Sequence, residues 1–212
     1  MQITKIMKQV LRYLALGLVV VGTALGGLGA APAALAAGEC TVSSADRTMD
    51  TEEQAMLRLI NEDRQQHGLV PLKVSPTLNA AAPWLARDMA TYSYFSHTDR
   101  LGRSPDRRLT DCGYPAYPAG GSGSAGWAEN IAAGAAAAAH TFAQWQNSAV
   151  HNANMLKPDA RVAGIGRAYQ AASRYGWYWT LDVGSKDDSG FLVINWYDVV
   201  IQSLIGRLPS LS

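Results

Sequence analysis

Two cysteines, three phenylalanines and four histidines are all that this 212-residue chain has of those types. Cys40 and Cys112 leave room for a single disulfide. His67, His97, His140 and His151 nowhere form an H-E-x-x-H pair, which removes the helical zinc-protease signature. Ser122 and Ser124 each lack one flanking glycine of G-x-S-x-G, so no nucleophile elbow is present. Basic residues (18 Lys and Arg against 17 Asp and Glu) show no clustered excess, which excludes a nucleic-acid surface. The one dense run, Arg100, Arg103, Arg107 and Arg108, is interleaved with Asp99, Asp106 and Asp111 and reads as a solvated, self-paired face. Beyond the first 36 residues no apolar run is long enough to span a membrane; the tail Phe191–Ile205 is broken by Asn195, Asp198 and Gln202.

What the chain does have begins with a secretory layout. Lys5, Lys8 and Arg12 precede an apolar run from Tyr13 to Leu28, and Ala34-Leu35-Ala36 supplies small residues for cleavage. A retained anchor is the competing reading; five glycines between Gly17 and Gly29, with Pro32, favour a signal peptide over residues 1–36. Glu39 directly before Cys40 speaks against a lipoprotein. Cleavage removes three positive charges and no acidic ones, taking the formal net charge from +1 to −2. The expected location is therefore secreted, periplasmic or extracellular. In such a compartment the default for one cysteine pair is a Cys40–Cys112 disulfide; two separate thiols are the alternative.

Residues 37–50 read as an N-terminal extension, 51–185 as the folded domain and 186–212 as an apolar C-terminal extension. Asp50 and Glu53 make a capping-box start for a first helix stopped by Gly68. Ser75-Pro76 opens a second helix, which Pro83 must kink or restart. Ser104-Pro105 opens a short third one. Residues 113–126 are a long Gly-, Pro- and Ser-rich loop. After Pro158 the period changes to two, giving strands over Arg161–Tyr169 and Arg174–Val183 around a short turn at Gln170–Ser173.

The stretch Trp145–Leu156 reads as the end of an amphipathic helix carrying Ser148 and His151 on one face, with Asn152 and Asn154 at its exit. His97 is placed just past the second helix, and Glu129 at the exit from the Gly-rich loop. Two imidazoles and one carboxylate at breaks between elements can bind zinc or another divalent cation, or act as a proton-transfer set. Their scatter along the chain gives that chemistry no spacing signature of its own.

Four segments in order carry a family resemblance: Phe95-Ser96-His97, Glu129-Asn130-Ile131-Ala132, Trp145 through Leu156, and Val162-Ala163-Gly164-Ile165-Gly166. With Leu59 to Arg64 and Gly68-Leu69 upstream, they resemble the bacterial branch of the CAP superfamily, the SCP-like domain of cysteine-rich secretory proteins, antigen 5 and plant pathogenesis-related proteins. The resemblance implies an α+β fold, a three-layer α-β-α sandwich with a small, mainly antiparallel sheet. It also implies a cavity lined by two histidines and two acids. His97, Glu129 and His151 match three of those positions. The fourth, a glutamate in eukaryotic members, falls on Ser148, which leaves a mechanism needing two acids short of one. Ser148 and Asn154 are then expected to line the cavity beside Glu129. Some members bind zinc through the histidine pair, others bind sterols or lipids.

Three functions compete. One is a secreted binding module, with His97 and His151 on a divalent metal and a groove for an extracellular ligand (a lipid, a peptide or a cell-surface component). Another is a metal-dependent hydrolase in which Glu129 activates water. The third is a Ser148–His151 nucleophile pair, which lacks a visible oxyanion donor or orienting acid. The long loop 113–126 and the missing second acid favour the binding module.

Overall fold

The structure, a computed structural model, describes Cys40 and residues 47–116 and 126–190. The segment expected to be a signal peptide, most of the Gly-rich loop and the tail from residue 191 lie outside the described residues. No helix among those described is long and apolar enough to cross a membrane.

Helix α1 (Thr51–Gln66) starts on the anticipated capping box: Asp50 accepts from the Glu52 and Glu53 amides, and Glu53 accepts from the Asp50 amide. Met56 and Ile60, one turn apart, are fully buried. Burial pushes the Glu53 carboxyl up to about 7. Helix α2 (Leu78–Tyr92) is nucleated by Ser75, whose Oγ accepts from the Leu78 amide at 2.9 Å. It runs through Pro83 as one element, so of the two alternatives, a kink or a restart, the restart does not occur. Helix α3 (Pro105–Asp111) carries its proline at the first position, as Ser104-Pro105 requires.

The break in the next helical stretch differs from the expectation. Trp145–Leu156 is not the end of one helix. Helix α4 (Ala138–Gln146) stops, and α5 (Ala149–Met155) starts again after Ser148, whose backbone is extended. Asn147 and Ser148 prefer caps to helix interiors, which is why the chain changes direction there.

Four strands form one mixed sheet in the order β1-β3-β4-β2: β1 (Lys73–Val74), β2 (Trp127–Ala133), β3 (Val162–Tyr169) and β4 (Trp177–Gly184). The β3–β4 and β4–β2 pairs are antiparallel, and the two-residue β1 adds parallel to β3. The β3–β4 turn is longer than the four residues expected. Gly176 takes a positive φ of 73°, and its carbonyl accepts from Gln170 at 2.9 Å, closing the loop before the ladder starts at Trp177.

Alternation along the strands sorts the two faces. Trp179, Leu181 and Val183 of β4, with Ala163 and Ile165 of β3, pack under α1, α4 and α5. Tyr178 and Ile131 face α2, against Leu85 and Met89. Helices thus cover both faces of the sheet, giving the three-layer α-β-α sandwich. The Cys40–Cys112 disulfide is formed, with Cα atoms 5.2 Å apart across 72 residues of sequence. It ties the chain before α1 to the end of α3; closing a loop of that length is worth roughly 4 kcal/mol on the chain-entropy account.

Candidate functional site

Strand β2 lies at the edge of the sheet, so its two faces open onto a common rim. Glu129 projects toward the α2 and α3 side and Asn130 toward the α5 side, because neighbouring strand residues alternate. The candidate site is built over this edge.

On the first side, Arg108 leaves the expected solvated face. It is fully buried, while Arg107 pairs with Asp111 at 2.9 Å on the surface. The Arg108 guanidinium donates from Nη2 to Glu129 Oε2 and from Nη1 to the His97 carbonyl at 3.1 Å, with Asp99 Oδ2 at 3.6 Å. Burial works against its charge, but the carboxyls of Glu129, Asp182 and Asp99 outweigh that and hold Arg108 above its ordinary pKa. The other Glu129 oxygen, Oε1, lies 2.7 Å from His97 Nδ1. A carboxylate already paired with Arg108 is an acceptor, so His97 Nδ1 is the donor and Nε2 keeps its lone pair. The His97 side chain is 49% exposed and that of Glu129 1%. The imidazole is thus fixed at its inner nitrogen and open at its outer one.

On the second side, His151 sits in the first turn of α5. Its Nδ1 is 2.9 Å from Ser148 Oγ, which makes no hydrogen bond to the helix backbone. Burial lowers the His151 pKa, and the nearby His97 lowers it further. Asn130 Nδ2 donates to the His151 carbonyl at 2.9 Å. Asn154 Nδ2 donates to Asn130 Oδ1 at 2.9 Å and to the Glu129 carbonyl at 3.3 Å. Asn154 is thus spent on stapling α5 to β2 and offers the cleft no free amide donor along that bond. Arg64, fully buried in α1, fixes the far end of α5. It donates to the carbonyls of Met155 and Lys157 at 2.8 and 3.0 Å, where a cation also suits the helix dipole.

The donor set can be tested against a divalent ion. A ligating histidine characteristically donates its other nitrogen to a carboxylate, and His97 does so. Glu129 does not fit as a ligand, because both its oxygens are taken by His97 and Arg108. Among the described residues no group of three or more His, Cys, Asp or Glu side chains could hold a metal. The inner nitrogens of His97 and His151 are engaged by Glu129 and Ser148, so their outer nitrogens are the imidazole atoms not used within the cluster.

Sequence reasoning missed two members of this cluster. Arg108 had a signal: the run 99–111 holds four arginines against three aspartates, so one cation needs an acid from elsewhere. Asp182 had one too. It is the single charged residue of Trp177–Gly184, a strand otherwise apolar or neutral, and it is fully buried directly opposite Glu129 in the β2–β4 register. The second acid absent from Ser148 is present on β4.

The chain is similar to known proteins over the region that carries this cluster. The model of the cysteine-rich secretory protein (CAP) family matches residues 57–183, which include His97, Arg108, Glu129, Ser148, His151 and Asp182 but not Cys40. The uncharacterized protein YkwD of Bacillus subtilis (strain 168) is 31% identical over 126 residues, 59% of this chain and 46% of YkwD. The chain thus spans about half the length of that relative. Two solved structures share the fold. An outer surface protein from Borrelia burgdorferi has a TM-score of 0.53 at 21% identity, covering 66% of this chain and 97% of that one. An extracellular protein containing an SCP domain from Bacillus anthracis has a TM-score of 0.53 at 24% identity, covering 64% of this chain and 40% of that one. With the family model matching well over half of its length and the sandwich built as described, this chain belongs to the CAP, or cysteine-rich secretory protein, family.

Proposed function

We propose that this protein is an exported binding module whose cleft over the edge of β2 holds a divalent cation, zinc being the natural candidate, between the outer nitrogens of His97 and His151. The observation that carries the reading is the clamp on His97: one nitrogen anchored by Glu129, the other free and half exposed. The bound ion would supply a Lewis-acidic anchor for an electron-rich group of an extracellular ligand. The chain's own part is to hold the two imidazoles in fixed orientation. His151, its pKa lowered by burial, is neutral at physiological pH, as a metal ligand must be. Phe95 and Tyr175, in edge contact at 6.0 Å and both exposed, offer an apolar surface two residues from His97 for such a ligand. The Borrelia relative is an outer surface protein and the Bacillus anthracis one extracellular, which supports a place outside the cytoplasmic membrane.

The hydrolase reading asks Glu129 to take a proton from water. Both of its oxygens are already engaged, Oε2 by Arg108 and Oε1 by His97, so neither is free to take it. Ser148 lies within reach of His151, but no acid among the described residues holds the other imidazole nitrogen.

Zinc titration by calorimetry tests the proposal. Two protein nitrogens should bind modestly, and His97→Ala or His151→Ala should each remove measurable binding with circular dichroism unchanged. Affinity should fall as pH drops below ~6.5, where protons compete for the same nitrogens. Equal zinc binding by wild type and both variants would overturn it.

A further inference from the structure

We propose that the cleft on the outer face of α2 is a second binding site, one that takes the carboxylate of a small, flat, apolar acid. Trp84, Arg87, Asp88, Thr91, Tyr92 and Arg100 line it, and its volume is about 220 Å³. His97, Glu129 and His151 are not among its walls, so the proposal does not rest on the metal reading.

The helix period lays the floor. Trp84, Asp88 and Tyr92 follow one another at intervals of four, with Arg87 and Thr91 beside them, so the five share one side of α2. Leu85 and Met89, on the other side, pack toward Ile131 and Tyr178 of the sheet. The loop between α2 and α3 folds back as the wall and brings Arg100 to Asp88. That loop is held in one shape. Asp99 accepts from the Leu101 and Arg103 amides at 3.0 and 2.9 Å, and Gly102, at a φ of 78°, donates to the Asp99 carbonyl at 2.9 Å.

Asp88, 6% exposed, decides which charge the cleft offers. Its Oδ1 accepts from Arg100 Nε at 2.7 Å, and its Oδ2 accepts from the Tyr94 hydroxyl at 2.6 Å and the Arg100 amide at 3.3 Å. Both carboxylate oxygens are engaged within the protein, so Asp88 serves to aim Arg100. The Arg100 guanidinium also lies 4.6 Å from the centre of the Tyr92 ring, against an aromatic face. Trp84 is backed in the same way by Arg103, 4.5 Å from its ring and itself paired with Asp99 and Asp111. The lining thus holds two guanidinium groups against one carboxylate, with two aromatic side chains beside them.

That combination selects a ligand class. The planar guanidinium fork matches a planar pair of acceptor oxygens. Aromatic walls favour an apolar body attached to that pair, and add nothing for a compact, hydrated anion such as phosphate. At about 220 Å³ the cleft is smaller than the ~300–1,000 Å³ of sites for drug-sized molecules, so it suits one ring with its acid group. A free aromatic acid and the C-terminal carboxylate of a peptide ending in an aromatic residue share that chemistry.

The test uses the full-length chain freed of metal by chelation, so that a carboxylate cannot report on the histidine pair instead. The indole N–H resonance of Trp84, identified by its loss in Trp84→Phe, is followed as ligand is added. Benzoate should shift it with a dissociation constant of about 1–10 mM, the range open to so small a ligand. Benzamide, its neutral counterpart, should bind at least ~10-fold more weakly, and inorganic phosphate should leave the resonance in place. N-acetylphenylalanine against its amide repeats the comparison for a peptide end. A charge-dependent shift there assigns the site to peptide termini, a shift with benzoate alone assigns it to free acids, and either result upholds a carboxylate site. Arg87→Gln and Arg100→Gln should each weaken benzoate ~10-fold with circular dichroism unchanged. Arg100→Gln takes a partner from buried Asp88; if it unfolds the chain, Arg87→Gln and the benzoate–benzamide comparison, which needs no variant, decide. The proposal fails if benzamide or phosphate binds as tightly as benzoate. It also fails if neither acid moves the Trp84 resonance, or if Arg87→Gln binds benzoate as well as wild type does.

Discussion

Replacing Arg108 with methionine should lower the unfolding free energy by ~3–5 kcal/mol, the cost of breaking a buried ion pair from one side. The substitution keeps the volume and removes every donor. Glu129, 1% exposed, would be left beside Asp182 with no cation, and the His97 carbonyl would lose its partner. Glu129 would then take up a proton rather than remain an uncompensated anion, and the clamp on His97 would go with its charge. The control is Arg107→Ala on the outer face of the same helix. Its pair with Asp111 is solvated, and exposed pairs are worth ~0–1 kcal/mol. Urea unfolding with an unchanged slope would measure both. Adding Glu129→Gln to Arg108→Met should recover part of the loss, because the two residues share one interaction. If Arg108→Met costs no more than Arg107→Ala, the buried cluster does not hold the site together.

That contrast shows where sequence reading worked and where it stopped. Local rules were enough wherever a residue acts on its own neighbours. Asp50 with Glu53 caps one helix and Pro105 takes the first position of another, while the helix expected from Ser75-Pro76 begins two residues later, at Leu78, whose amide donates to Ser75 Oγ. The period of two in Trp177–Gly184 is a strand with distinct faces, and the single cysteine pair is a disulfide. His97 and Glu129 meet, and Ser148 touches His151, because the family resemblance fixed their order along the chain. The failures are all long-range. Arg108 and Arg107 are adjacent letters in one acidic and basic run, and only α3 packing beside β2 decides which goes inward. Asp182 acquires meaning from Glu129 across the ladder, 53 positions away, a partner no local pattern names. The helix break at Ser148 was a matter of degree: cap-forming residues were visible there, and the apolar period running past them concealed the change of direction.

Gly164→Ala combined with Gly166→Ala should abolish cooperative folding. Both glycines lie on the face of β3 that α2 covers, and both allow that helix to approach as backbone against backbone. A Cβ on Gly164 would fall 2.1 Å from the Leu78 carbonyl carbon and 2.4 Å from the Asn79 nitrogen. One on Gly166 would fall 2.2 Å from Pro83 Cα. No flexible side chain can yield in either case, so the helix itself must move away from the sheet. That motion would open the layer in which Leu85 and Met89 pack on Ile131 and Tyr178. It would also pull Ser75, the cap of α2, away from its place beside β3, where its amide donates to the Ala163 carbonyl at 2.9 Å. Ordinary overpacking costs ~1–3 kcal/mol per site with side chains that can repack. Two rigid clashes exceed that, against a total stability of ~5–15 kcal/mol for a domain. Gly190→Ala, where a Cβ meets open space, is the neutral control. Calorimetry of the purified proteins decides the matter: a cooperative transition in the double variant within ~1 kcal/mol of wild type, the range of ordinary single substitutions, would show that α2 does not rest on these two glycines.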